Sequence, residues 1–249
     1  MRLSFGAGGR AFNADQDWLL PQEPALQPHR DQIRRVSGGF DGFKFDVQGI
    51  TLSDRLARVF ERYARTPLSS ASVLDWGVGS GRVARYFNPL AGDFHGADVD
   101  ADNLAWCRDH LRGTYHHIKT TTPTPLPADR FDLIYGVSVM THLTPADEQA
   151  WIAELYRLVK KGGLVLLTTL GPTSLMVMDM SHCLPDLAAR GRIDLGENTI
   201  LAGRVPEGYY RNVAHGFAGI HSAWGAHFEI LDVLPAGIGI QDLVVLRPR

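Results

Sequence analysis

The sequence predicts an α/β fold whose mostly parallel sheet is covered by helices on both faces. Three observations predict it. Short β-rich runs alternate with helical segments from residue 72 to residue 169. A glycine-rich turn, Gly77-Val78-Gly79-Ser80-Gly81, follows the first run. An acidic residue, Asp98, closes the second.

Taken in order, residues 1–50 are rich in Gly, Pro, Asp and Gln and read as an N-terminal arm. Trp18, Phe40, Phe43 and Phe45 within it call for burial, and Arg34 and Arg35 precede a Gly38-Gly39 turn. The domain proper is expected over 51–249. Leu52, Leu56, Val59, Phe60 and Tyr63 recur at helical spacing, with Thr51 or Ser53 as the cap. Strands are expected at 72–75, 94–97, 115–118, 131–135 and 164–169. Helices are expected at 82–87, 101–111 and 146–159, with a Thr/Pro-rich loop at 120–127. Lys160, Lys161, Gly162 and Gly163 suit a helix end, through cations and left-handed glycine. Residues 171–225 break the rhythm; 174–187 read as helical, with Met176, Met178 and Met180 as packing residues. Residues 228–233 and 240–246 read as an antiparallel hairpin turning at Leu234-Pro235-Ala236-Gly237.

Composition narrows the function classes. Of 249 residues, 45% are hydrophobic and 21% charged, which suits one large globular domain. A net charge of -2 leaves no electrostatic footprint for nucleic acid or an anionic membrane. Cys107 and Cys183 stand apart without CxxC spacing, so a reduced, cytoplasmic chain is expected. The first twelve residues lack signal-peptide character, and the apolar run at 164–170 is too short to span a bilayer. The ten histidines form no metal pattern, so no metal is expected.

The glycine turn carries the chemistry. Glycine lets backbone approach a ligand where a Cβ would clash. Asp75 at the strand end is suited either to a ligand ammonium group or to fixing the turn through backbone N–H groups. The spacing is G-x-G-x-G, and Arg82 occupies the third position of a dinucleotide fingerprint. No G-K-S/T follows, which excludes a P-loop. Such turns also join strand to helix with no ligand involved. An acidic strand-end residue suits vicinal ribose hydroxyls; Asp98 fits, while Asp100 reads as the cap of the next helix.

With these residues in hand, the chain resembles the class I S-adenosylmethionine-dependent methyltransferases. Val73 to Gly81 resembles V-L-D-x-G-C-G-x-G, with Val78 for the common cysteine. Phe131 to Leu143 resembles F-D-x-I-x-x-x-x-V-x-x-H-L, and Glu154 to Leu164 resembles E-L-x-R-V-L-K-P-G-G-x-L, with Lys161 for proline. The resemblance covers residues 70–170. It implies a Rossmann-like, doubly wound, seven-stranded sheet with a reversed seventh strand. It implies S-adenosylmethionine held by Asp75, Gly77, Gly79, Gly81, Asp98, Val99 and Ser138. Relatives often place an Asp after strand three against adenine; here stand Thr120, Thr121 and Thr122, so a threonine hydroxyl or a carbonyl takes that role. More loosely, Arg82-Val83-Ala84-Arg85 and Gln241 to Leu246 resemble methyltransferases of bacterial polysaccharide synthesis.

The resemblance implies methyl transfer to a small molecule or a sugar hydroxyl, more readily to oxygen than nitrogen. His142 is the candidate base, or else a helix-start residue bonded to backbone. Residues 171–225 form the candidate substrate lid, with Tyr209, Tyr210, His215 and His221 as candidate substrate contacts. Arg34 and Arg35 are either covers for the cofactor carboxylate or surface cations. Asp132 reads as a fold residue. Two rival functions stay open: a cofactor-binding, non-catalytic partner in a biosynthetic complex, and a nicotinamide-dependent oxidoreductase.

Overall fold

The computed structural model describes residues 27–39 and 41–249. Trp18 and Phe40 lie outside the described residues. Two helices lead in, α1 (Arg30–Ser37) and α2 (Gly42–Tyr63). There follow β1 (Ser72–Trp76), α3 (Ala84–Phe87), β2 (Asp93–Asp98), α4 (Ala101–His110), β3 (Thr114–His117), β4 (Phe131–Gly136), α5 (Pro145–Leu158) and β5 (Val159–Thr169). After these come α6 (Pro172–Val177), α7 (Leu184–Arg190), β6 (Arg192–Glu197), β7 (Arg211–His215), α8 (Phe217–Trp224), β8 (Phe228–Ile238) and β9 (Gln241–Pro248).

Seven strands form one sheet in the order β3-β2-β1-β4-β5-β9-β8. The first five run parallel, and β9 is antiparallel to both of its neighbours. This is the Rossmann-like sheet with a reversed final strand. The period-two alternation of each strand sorts its side chains onto two apolar cores. Val73, Leu133, Tyr135, Leu166 and Val245 face the layer of α2, α3 and α4. Leu74, Trp76, Ile134, Leu167 and Val244 face α5 and α8, where Trp151 and Trp224 are fully buried. Each such side chain contributes about 1.5–3 kcal/mol of burial. Asp132 accepts from Ser72 N (2.9 Å) and Lys160 Nζ (2.8 Å), pinning β1 to β4 as a fold residue does.

Several expectations need correction. The helix expected from Leu52 begins at Gly42, capped by Asp41 onto Lys44 N (3.1 Å), and so crosses the boundary drawn at residue 50. Phe45 and Gly49 hide the signal: Phe45 is fully buried, and a Cβ on Gly49 would lie 2.2 Å from Arg82 O. Thr51 bonds Val47 O (2.8 Å) rather than capping, and Phe43 is 77% exposed. At the far end of the chain, Leu234 to Gly237 is an irregularity inside β8, and the reversal falls at Gly239 and Ile240. Asp242 Oδ1 accepts from Ala236 N (2.9 Å), holding Ala236 at φ 47.

Helix α5 stops at Leu158, before the lysines and glycines. Its last carbonyls, Arg157 O and Leu158 O, accept from Asp129 N and Arg130 N (both 2.9 Å) on the way into β4, so no glycine cap is needed. Finally, 174–187 is not one helix but the end of α6 and the start of α7, separated by Asp179 at φ 58. Met176 and Met178 are exposed; Met180 packs against the small core of Leu170, Leu175 and Leu187.

Candidate functional site

A cleft of ≈ 510 Å³ opens beyond the carboxyl ends of β1, β2 and β4. Open α/β sheets bind ligands at this point, where the strand order reverses direction. Strand β1 delivers Asp75 and then turns through Gly77 (φ 81) and Gly79 (φ 55), a conformation that favours glycine. Gly77 N and Val78 N donate to Ala97 O (2.8 and 3.1 Å), so the turn is strapped to β2. Asp98 completes the strap: Oδ2 accepts from Gly79 N (2.7 Å) and Oδ1 from Asp100 N (2.8 Å). Burial raises the pKa of its carboxyl.

Asp75 is buried and accepts from the Tyr135 hydroxyl (2.9 Å), not from the turn. Burial pushes its pKa up to about 8, so an approaching cation would restore its charge. Arg82 lines the same end of the cleft. It donates to Gln48 Oε1 (3.2 Å), while its Nε is buried with no hydrogen-bond partner. Burial lowers the Arg82 pKa to about 10. An acid near an unspent guanidinium suits a ligand that carries both an ammonium and a carboxylate.

The neighbouring wall is crossed by cover residues. Asp100 caps α4 through Asp102 N and is gripped by Arg35 Nε (2.8 Å) from α1 and Arg204 Nη1 (2.9 Å) from the 171–225 segment. Arg35 therefore spends its charge on Asp100. Tyr209 donates to Thr120 O (3.2 Å) and receives Trp151 Nε1 (3.3 Å). The expected threonine contact is thus a carbonyl already taken by a lid tyrosine. Thr120, Thr121 and Thr122 do not line the cleft, whereas Val99 and Ile118 do.

His142 lines the cleft just past β4. Its Nδ1 lies 2.6 Å from Arg211 O, and its ring stacks on Tyr210 at 4.0 Å. A carbonyl can only accept, so Nδ1 carries the proton and Nε2 keeps its lone pair. Burial lowers the His142 pKa to about 4, which keeps the ring neutral near pH 7. Ser138 also lines the cleft, with φ 61, Ser138 N donating to Thr168 Oγ1 (2.7 Å) and its hydroxyl paired with Gln241. A non-glycine residue held left-handed beside a cleft is a mark of a functional site.

Three expected site residues fall elsewhere. A Cβ on Gly81 would lie 2.3 Å from Leu111 Cδ1, so this glycine admits α4 rather than a ligand. His215 is buried away from the cleft, with Nε2 on Glu148 Oε2 (3.1 Å) in a cluster with Arg192 and Trp224. His221 is exposed on α8 against Phe217. Conversely, Arg82, Trp151, Asn198, Asn212 and Gln241 line the cleft unforeseen as ligand contacts. Arg82 left a trace in the sequence, as the residue that broke the dinucleotide fingerprint.

With this geometry fixed, residues 73–163 match the methyltransferase domain family. Those residues carry a methyltransferase domain. The chain is 32% identical over 124 residues to a ubiquinone biosynthesis O-methyltransferase of Bradyrhizobium sp. (strain ORS 278), 48% of each chain. It is 31% identical over 130 residues to a malonyl-[acyl-carrier protein] O-methyltransferase of Salmonella typhimurium, 52% of this chain and 51% of the relative. The matches thus span about half the length of these relatives. In fold, the chain resembles magnesium protoporphyrin IX methyltransferase of Synechocystis PCC 6803, with TM-score 0.59 and 14% identity, over 88% of this chain and 94% of the other. The sheet of the methyltransferase domain is completed by β8 and β9, beyond the matched residues. Among the described residues, no helix is long and apolar enough to cross a membrane, and no cluster suits a metal ion.

Proposed function

We propose that the chain is an S-adenosylmethionine-dependent O-methyltransferase acting on a small-molecule hydroxyl. The observation that carries this reading is the position of His142: a neutral imidazole with its lone pair unspent, in the same cleft as the glycine cradle. The cradle fits the cofactor. Asp98 would accept from ribose hydroxyls, Asp75 would face the ammonium, and the orphaned Arg82 Nε would meet the carboxylate. Val99, Ile118, Leu143 and Trp151 offer an apolar slot for the base. When bound, S-adenosylmethionine supplies the electrophilic methyl group.

The chain's own residues orient and shield. The Arg211 carbonyl fixes the His142 tautomer, and Tyr210 fixes the ring plane. A base this weak draws a hydroxyl proton only as the oxygen loses electron density. The segment 171–225 serves as the lid; Asn198, Ile200, Leu201, Val205, Tyr209 and Tyr210 from it line the cleft. Holding both reactants in line contributes about 7–11 kcal/mol in favourable systems. The two curated relatives, both named O-methyltransferases, support oxygen as the acceptor atom.

The test is calorimetric titration with S-adenosylmethionine and S-adenosylhomocysteine, with NADH and NADPH as controls. Micromolar binding of the two sulfur nucleosides alone supports the reading. Tighter binding of a nicotinamide cofactor overturns it.

A further inference from the structure

The cleft is covered by two separate pieces of chain, and both are tied to one carboxylate. Helix α1 packs on the glycine turn: a Cβ on Gly79 would stand 2.6 Å from Val36 Cγ2, and Arg35, Val36 and Gly38 line the cleft. The second cover is the 198–212 segment, whose Leu201, Val205 and Tyr210 also line it. Tyr210 stacks on His142 and stands near Asp98 as well: burial, and then the Asp98 charge, raise its pKa.

Asp100 is where the covers meet. Its Oδ2 accepts from Arg35 Nε (2.8 Å), and its Oδ1 from Arg204 Nη1 (2.9 Å) and from Asp102 N (3.1 Å). Arg204 Nη2 reaches Asp102 Oδ2 (2.7 Å), so one guanidinium spans two carboxylates. The two halves of this junction are unequal. The Arg35 and Asp100 side chains are 11% and 1% exposed, whereas Arg204 and Asp102 are 33% and 64% exposed. Water and salt therefore weaken the Arg204 half first. Arg204 also stands between two glycines in left-handed backbone, Gly203 (φ 77) and Gly208 (φ 74), each with open space where a Cβ would be. The ends of the lid's two strands are fixed by buried groups instead, Arg192 and His215 on Glu148. A stretch with a fixed base, a solvated tip contact and glycines beside it is built to swing.

Resting on the methyltransferase reading, we propose that Arg204 is an ionic latch that gates exchange of the cofactor. With Arg204 on Asp100 and Asp102, the 203–208 turn is held against the start of α4 and the cleft is closed. When Arg204 lets go, the turn swings on Gly203 and Gly208, and S-adenosylmethionine or S-adenosylhomocysteine passes. Arg35, the buried half, stays on Asp100 throughout. Arg204 is not among the residues lining the cleft, so it acts through the two carboxylates rather than on the ligand. Both sides of the latch are protein groups, so it slows entry as much as exit. Loosening it speeds both and leaves their ratio, the affinity, nearly unchanged. A side chain that gripped the ligand would speed exit alone.

The test is stopped-flow exchange of S-adenosylhomocysteine on the full chain, read by the fluorescence of Trp76 and Trp151, which line the cleft. Wild type is compared with Arg204→Gln, Arg204→Lys and Asp102→Asn. Arg204→Gln is expected to raise the association and dissociation rates together by about 5–10-fold, with Kd within about twofold of wild type. Arg204→Lys keeps the charge without the fork and falls between. Asp102→Asn leaves Asp100 in place and gives a smaller rise in the same direction. Raising salt to about 0.5 M speeds exchange in the wild type and leaves Arg204→Gln unmoved. Failure of S-adenosylhomocysteine to bind the wild type overturns the methyltransferase reading itself. Normal binding with rates indifferent to Arg204→Gln and to salt, or with faster exit but unchanged entry, overturns the latch alone.

Discussion

Replacing Asp98 by Asn separates a turn clamp from a ribose contact. The carboxylate accepts two backbone N–H groups, from Gly79 (2.7 Å) and Asp100 (2.8 Å). Asn offers one carbonyl oxygen, and its NH₂ then faces the other N–H donor. Hydrogen bonds to a charged group are worth about 1.5–3 kcal/mol and neutral ones about 0.5–1.5. Burial already raises the pKa of the Asp98 carboxyl, so neutralising it returns part of that loss. The net cost to the fold is therefore about 1–2 kcal/mol, read as a lower urea midpoint with an unchanged slope. The same substitution weakens charge-assisted contact to a cofactor's ribose. Loss of one such contact corresponds to a roughly 10–100-fold rise in the S-adenosylhomocysteine Kd. Calorimetry below the unfolding transition reads that directly. A variant with a lowered urea midpoint but a Kd within about threefold of wild type would show that Asp98 clamps the turn and nothing more.

Three further outcomes follow from the geometry. His142→Gln should lower kcat by about 10²–10⁴ while leaving S-adenosylhomocysteine affinity intact; the wild-type kcat at saturating cofactor should fall only as pH approaches about 4, because burial keeps the ring neutral above that. A variant retaining full kcat would remove His142 from the chemistry. Cofactor binding near pH 7 should release protons, because burial holds Asp75 at about 8 and an ammonium group would draw it down; a binding enthalpy independent of buffer ionisation would refute this. Glu148 offers the acid test of the fold. Burial alone would raise it, but His215, Trp224 and Arg192 hold it at about 2, so its stabilisation is complete above the unfolded value of 4.5 and fades as pH falls through about 2. Glu148→Gln should cost about 1.5–3 kcal/mol near neutrality, since it removes the charge on which Arg192 and Trp224 donate, and urea midpoints should then vary less across pH 2–4.5; an unchanged midpoint would dismiss the cluster.

The centre of the sheet was legible because its strands are apolar runs sealed on both faces, with all five residues of β1 buried. The glycine turn was legible because positive φ leaves few alternatives to glycine. The cover was not. Strands β6 and β7 make a two-stranded sheet whose residues alternate poorly, as the register shift between Asp194 and Gly196 shows. His215 and His221 therefore read alike in sequence, though one is buried on Glu148 and the other faces water. Arg82 and Arg204 illustrate the same limit: their roles depend on where Gln48 and Asp100 stand in space, 34 and 104 residues away.

The position of β9 has a consequence for how the chain is made. Residues 241–248 lie inside the sheet, hydrogen-bonded to β5 on one side and β8 on the other. Until they emerge from the ribosome, β5 presents an open edge of Val165, Leu166 and Leu167, the kind of edge that recruits other chains. The nascent protein is thus exposed to aggregation until β9 arrives. Premature termination a few codons short of β9 would yield insoluble product rather than a weakened fold.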